Sequence, residues 1–113
     1  MRVLLDHCVP KRLRTLLAGH DVKTARQMGW EMLKNGALLT EAAIQFDVFL
    51  SVDKKLQFEQ NLATLPMTAV ILDSESNAFT ELAKFGPHLQ SLLRTQLKRA
   101  LYVIRGNGDV HQF

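Results

Sequence analysis

The stretch FDVFLSVDKKLQFEQN, residues 46–61, decides how the rest of the chain is read. A nearly unbroken apolar run, Val48 to Val52, stops on Asp53 and is followed by Lys54 and Lys55. A strand that is apolar at successive positions, rather than at every second one, is covered on both faces, as in a parallel sheet. The chain opens the same way, because MRVLLD carries Val3 to Leu5 and then Asp6. Two buried strands that each finish on a carboxylate call for a fold that explains where those ends meet.

Working outward from Asp53, the pattern alternates between strand and helix. Residues 2–5 read as a short strand, and Pro10 suits the first turn of a helix that carries Leu13, Leu16 and Leu17 and stops at Gly19. Asp21 to Thr24 form a second strand, and RQMGWEMLKNG is turn-rich, with room for one helical turn before Gly29. Asn35 is a capping residue type, and Leu38, Leu39, Ala42 and Ala43 follow on one helical side. Asp47 to Ser51 make the third strand, Lys55 to Leu62 a short amphipathic helix, and Thr68 to Leu72 a fourth strand ending on Asp73. A helical region from Ala78 to Gln96 is expected to break at Gly86-Pro87. Ala100 to Ile104 give a fifth strand, and RGNGDVHQF reads as turn and tail.

This order predicts one α/β domain over residues 1–113: three layers, α/β/α, around a mostly parallel, doubly wound sheet. Its five strands take the order 2-1-3-4-5. In such sheets, ligands bind beyond the carboxyl ends of the strands where the winding reverses, here between strands one and three. Asp6 and Asp53 close those two strands. Neighbouring strands lie about 4.8 Å apart, so the two carboxylates share one crevice, with Asp73 one strand further along. Clustered carboxylates repel unless a cation joins them, and Mg²⁺ or Mn²⁺ is the usual partner of oxygen ligands. Lys54 and Lys55 then stand ready for substrate phosphates. Read singly, each aspartate also fits the N-cap of a following helix.

Bulk properties agree with a globular domain: 47% hydrophobic and 22% charged residues. No apolar run approaches the roughly 18 residues of a membrane span, and the N-terminus enters a strand without a signal-peptide pattern. Cys8 is the one cysteine, which excludes an internal disulfide and points to a reducing cytoplasm. Beside His7 it is a weak hint of metal binding; a buried, inert thiol is the plainer reading. Fourteen basic against eleven acidic residues give a net charge of +3 and a pI of about 9.3. That balance is compatible with polyanions but not diagnostic of them. The basic residues gather at Lys11, Arg12 and Arg14, and again at Arg94, Lys98, Arg99 and Arg105.

Four segments carry a resemblance to a known family: MRVLLDHCVPKRLRTLLAGHDVKTARQMGW, LKNGALL, FDVFLSVDKKLQFEQNL and AVILDSESN. Over roughly the first 80 residues the chain resembles the small PIN-like proteins of the DUF5615 type. The resemblance implies an α/β fold and a Mg²⁺- or Mn²⁺-dependent ribonuclease. It also implies the toxin member of a toxin–antitoxin pair, with an antitoxin-like protein partner and a homodimer. By this resemblance Asp6 matches the opening metal-binding aspartate, and Ser51-Val52-Asp53 matches a T-x-D-like segment. Relatives often carry NGELL where this chain has NGALL, so Ala37 replaces a carboxylate. Glu41, one turn on, or Asp73 is the candidate substitute. Gln57, Gln60 and Asn61 are candidate contacts to sugar or phosphate, Phe58 is expected in the core, and Ser76-Asn77 is a polar pair shared with the relatives. Trp30 either stacks on a base or covers the core edge; the second is favoured.

The leading expectation is a metal-dependent phosphodiesterase acting on RNA. Asp6 and Asp53 are catalytic and hold the ion, Asp73 or Glu41 completes its surroundings, and Lys54, Lys55, Arg12, Arg14 and Asn61 position the strand. The alternative is a degenerate module that binds RNA or a protein partner, which Ala37 favours. A phosphorelay receiver has the same strand order and an acceptor Asp after strand three. It also needs paired acids after strand one and a Lys after strand five, where this chain has Asp6-His7 and Arg105.

Overall fold

The structure, a computed structural model, describes residues 1–113 apart from the side chain of Asn35. Six strands, β1 (Arg2–Leu5), β2 (Asp21–Thr24), β3 (Val48–Ser51), β4 (Thr68–Leu72), β5 (Leu101–Ile104) and β6 (Val110–Gln112), form one sheet in the order β2-β1-β3-β4-β5-β6. All pairings are parallel except β5 with β6. The helices are α1 (Asn35–Ala42), α2 (Leu56–Glu59), α3 (Phe79–Leu82) and α4 (Gly86–Leu93), with 3-10 turns at Lys11–Leu16, Leu62–Thr64 and Ala83–Phe85. The capping expected of the Asn35 side chain lies outside the described residues. No helix among the described residues is long and apolar enough to cross a membrane.

The apolar strands are buried because both faces are covered. Val3 and Leu5 of β1, with Leu50, Val70 and Ile104, pack against Leu13, Leu17 and the α3–α4 residues Leu82 and Leu89. Leu4, Phe49, Ile71 and Val103 point the other way, onto Leu38 and Leu39 of α1 and Leu56 of α2. The two-residue alternation of strand side chains thus divides one continuous apolar text into two cores. β2, at the sheet margin, alternates exposed and half-buried residues instead.

Four expectations are corrected. The sheet has six strands, not five. The RGNGDVHQF tail turns back because Gly106-Asn107-Gly108 provides a reversal, with the Asn107 side chain accepting the Asp109 N–H at 3.0 Å and Gly108 at φ +95°. The segment after Pro10 is 3-10 rather than α-helical, closing with the Leu17 N–H on the Arg14 carbonyl at 3.1 Å. The helix expected over residues 55–62 is one α turn and then a separate 3-10 turn. The break expected at Gly86-Pro87 is present: a 3-10 stretch separates α3 from α4, which begins at Gly86 with the proline in its first turn, where its missing N–H costs nothing. The turn-rich stretch after β2 contains no helix, since only turns span it.

Candidate functional site

The register of β1 on β3 pairs Leu5 with Leu50, so the next step sets Asp6 beside Ser51, two residues short of Asp53. The Asp6 backbone N–H continues the ladder to the Leu50 carbonyl at 2.9 Å. Asp6 and Asp53 line one crevice of about 920 Å³ at this edge, together with Cys8, Lys34, Lys54 and the loop Ser74 to Asn77. The convergence read from topology is therefore present.

Each carboxylate is held by a different device. Asp6 Oδ2 accepts the buried Ser51 hydroxyl at 2.7 Å, while Oδ1 accepts the His7 backbone N–H at 2.7 Å. The Ser51 oxygen in turn accepts the Asp53 backbone N–H at 2.9 Å. Asp53 Oδ1 accepts the Lys55 N–H at 3.0 Å, a turn-forming contact. Asp53 thus closes a turn with its own side chain while it lines the crevice; it does not cap α2, whose N-cap is Lys55 without a side-chain capping bond. The Cys8 thiol lies 3.7 Å from Asp6 Oδ2 and 3.6 Å from Ser51 Oγ. Burial pushes this thiol up, against a lowering contact from the Val52 backbone, so it stays protonated at neutral pH. The His7 ring donates from Nε2 to the Leu33 carbonyl at 2.8 Å, tying the β1 loop to the approach to α1. Asn77 donates to the Cys8 carbonyl at 3.1 Å and ties the β4 loop to it as well.

The other expected residues are placed elsewhere. Asp73 stands at the end of β4 but outside the crevice lining. The register of β4 on β5 pairs Leu72 with Ile104, which sets Asp73 beside Arg105, and the two form an ion pair at 2.7 Å. Lys54 closes on the same carboxylate at 3.2 Å and on Glu75 at 3.3 Å. Burial works to raise the Asp73 carboxyl, but hydrogen bonds from Arg105 and Lys54 outweigh it and hold it below the ordinary range. The same contacts, Asp73 first and Glu75 second, raise Lys54. Glu41 is exposed near the C-terminal end of α1. That helix returns from the carboxyl edge toward the start of β3, so its far end points away from the crevice. Among the described residues no three acidic, histidine or cysteine side chains converge as a metal-binding group; the expected third carboxylate is not there.

Arg12 is spread over the Phe79 ring, 4.3 Å from its centroid, and Lys55 is exposed outside the crevice. Asn61 caps the Leu62–Thr64 turn by accepting the Ala63 N–H at 3.0 Å. Ser76 accepts the Ala78 N–H at 3.0 Å, closing the turn that leads into α3 rather than capping the helix, whose N-cap is Ala78. Trp30 packs edge-on against Phe46, ring centroids 6.1 Å apart, at the margin of the second core. Phe58, expected in the core, is 80% exposed. Leu56 is the buried residue of α2, and at 100° per residue Phe58 points to the opposite side. Lys34 was missed. It lines the crevice because it immediately precedes α1, and helices following a parallel strand start at the carboxyl edge. That position was available from the topology.

The donor set suits a hard divalent ion. Mg²⁺ is commonly held by one or two carboxylates and keeps several waters. Asp6 and Asp53 face one open space, and Asp53 Oδ2 has no protein hydrogen-bond partner among the described residues. Fold and site together define an α/β protein with a crevice at the reversal point of its sheet, lined by Asp6 and Asp53 and, on the β4 loop, by Glu75, which pairs with Lys54. Comparison with protein-family models, with curated proteins and with solved structures finds no match to this chain.

Proposed function

We propose that the chain is a metal-dependent phosphodiesterase acting on RNA, a PIN-like nuclease of the toxin kind that works in a reducing cytoplasm. The observation that carries this reading is the meeting of Asp6 and Asp53 on one crevice that Lys34 and Lys54 also line. Asp6 and Asp53 would hold Mg²⁺ or Mn²⁺ there. Such an ion, when bound, neutralises charge developing on a phosphoryl group and makes water a better nucleophile. Ser51 fixes the Asp6 carboxylate through its hydroxyl, and the Lys55 N–H fixes that of Asp53. Lys34 brings positive charge for the phosphate backbone, an attraction that carries no sequence information. An antitoxin-like protein and a second copy of the chain remain the proposed partners.

Ala37 favours a second reading, a degenerate binding module. It is exposed on α1 where the resembling proteins carry Glu, and no third ligand takes that place among the described residues. One experiment separates the two: RNA cleavage with Mg²⁺ or Mn²⁺, run beside calorimetry with Mn²⁺, for wild type, Asp6→Asn and Asp53→Asn. The nuclease reading expects cleavage and metal binding in wild type and loss of both in the variants. RNA left intact by all three, with no heat of metal binding, sinks it and leaves the module.

A further inference from the structure

The loop from α4 into β5 sits where the parallel strands begin, at the opposite end of the sheet from the aspartate crevice. From Ala83 to Gly108 the chain holds no acidic residue. Two cations of that stretch, Lys84 and Arg105, are matched by Glu81 and Asp73. Arg94, Lys98 and Arg99 form no ion pair among the described residues. The neighbouring strand starts do little to neutralise them. Asp47, before β3, is held by Arg2, and Asp21 begins β2 at the far margin of the sheet. Phe113 also reaches this edge, its N–H on the Leu101 carbonyl, and its terminal carboxylate still leaves the three cations in excess. The exposed residues from Ser91 to Arg99 are Ser91, Arg94, Thr95, Gln96, Lys98 and Arg99. All carry hydrogen-bond donors, and none is acidic or apolar. The loop is irregular yet pinned. The Lys98 N–H donates to the Tyr102 hydroxyl at 2.9 Å, and its carbonyl accepts the Thr68 hydroxyl at 2.8 Å, both from buried strand residues.

We propose that this loop binds the phosphate backbone of a nucleic acid, on a face separate from the crevice and without reading sequence. Phosphate oxygens accept hydrogen bonds and carry the matching charge, and a guanidinium meets them with two parallel bonds. A folded protein partner needs an apolar centre to its interface, and a membrane surface needs apolar anchors. The exposed part of the loop has neither. The contact requires no metal ion and does not depend on the nuclease reading of the crevice.

The test measures binding of a labelled single-stranded oligoribonucleotide to the full chain in EDTA, which keeps metal out of the crevice, over a range of KCl. Three backbone contacts predict that log affinity against log salt is steeper by about 2 in wild type than in Arg94→Gln/Lys98→Gln/Arg99→Gln. The variant Lys11→Gln/Lys23→Gln/Arg26→Gln removes the same charge from the β2 side and should change the slope by less than about 0.7, one contact's share. All six side chains are exposed, so both variants should melt like wild type. If the first does not, Arg99→Gln alone should still lose about 0.7 of the slope. Equal losses in the two triple variants overturn the site and leave only the general attraction of a basic protein. So does a wild type that binds no oligonucleotide. Tighter binding of polyglutamate or of phosphatidylglycerol vesicles at equal salt overturns it too, by assigning the face to an acidic protein or to lipid. With metal kept out, none of these outcomes decides the crevice, which the Mn²⁺ calorimetry reads.

Discussion

The Ser51 hydroxyl donates a 2.7 Å hydrogen bond to Oδ2 of Asp6 and so joins the ends of β1 and β3. The same oxygen accepts the Asp53 N–H at 2.9 Å, and Ser51 is fully buried. One hydroxyl therefore sets the spacing of both aspartates. Ser51→Ala leaves a carboxylate oxygen and an N–H without this partner, a loss that costs about 1–3 kcal/mol for buried polar groups. Urea unfolding should show a destabilisation of that size. Calorimetry with Mn²⁺ should show affinity reduced by roughly ten- to a hundredfold, the usual effect of freeing a ligand from its supporting bond. Unchanged stability and unchanged affinity together would mean that this bond does not order the junction.

Asp73 gives the fold an acid-dependent clasp across β4, β5 and the loop after β3. Its folded pKa lies below the ordinary value, so the carboxylate is favoured in the native state. The sign follows directly. The stabilisation is complete above the unfolded pKa of about 3.9 and is lost as pH falls through the lower folded value. Asp73→Asn should cost about 1 kcal/mol at neutral pH, near the upper end for partly exposed ion pairs. The gap from wild type should close as the pH is lowered from about 5 through the depressed folded value. Thermal melts across that range check it. A gap independent of pH would assign the effect to packing instead of charge.

How much of this was legible in the sequence follows from where each signal resides. The central strands were readable because Val48 to Leu50 and Thr68 to Leu72 are buried on both faces, and burial writes itself as unbroken apolar text. The meeting of Asp6 and Asp53 followed from strand order alone. β6 was not readable, since all its residues are exposed and it is held mainly by backbone pairing to β5, which leaves no apolar pattern. Asp73 stands one strand beyond the crevice as its place after β4 requires, but what pairs with it was unreadable for a related reason. Its partner, Arg105, is a register neighbour 32 residues away, and register is fixed by packing rather than local composition. Phe58 shows the opposite failure: its residue type says core, while the single turn of α2 has only one inward position, and Leu56 fills it.

Gly108 is required twice at one position. Its φ of +95° is a conformation that other residues adopt only with strain, and an added Cβ would meet the His88 ring at 2.7 Å. Gly108→Ala should therefore cost the roughly 1–2 kcal/mol of the left-handed backbone penalty plus a steric part. The steric part resides in His88 and the backbone part does not. In the double variant Gly108→Ala/His88→Ala, the additional loss from Gly108→Ala should shrink to the backbone penalty alone, a coupling that a double-mutant cycle reads directly. Urea midpoints of the four proteins suffice. Additive losses would show that the ring swings aside freely and that the hairpin is not seated on α4.

Cys8 offers a chemical probe of the crevice that needs no substrate. Its sulfur is 3.7 Å from Asp6 Oδ2, and its pKa is raised, chiefly by burial and against a lowering contact from the Val52 backbone. The thiolate is the reactive form, so alkylation by iodoacetamide should be slower than for a free thiol near pH 8. It should accelerate as the pH is taken above the ordinary cysteine range. The adduct adds a polar amide arm beside the two carboxylates, where it should abolish Mn²⁺ binding measured by calorimetry. Cys8→Ala removes the reaction and leaves the hydrogen bonds of Asp6 to Ser51 and to the His7 N–H in place, so it should bind Mn²⁺ like wild type and resist the reagent. If alkylated wild type bound the ion unchanged, the thiol and the aspartates would not share one space. The metal reading of the crevice would then lose its geometric basis.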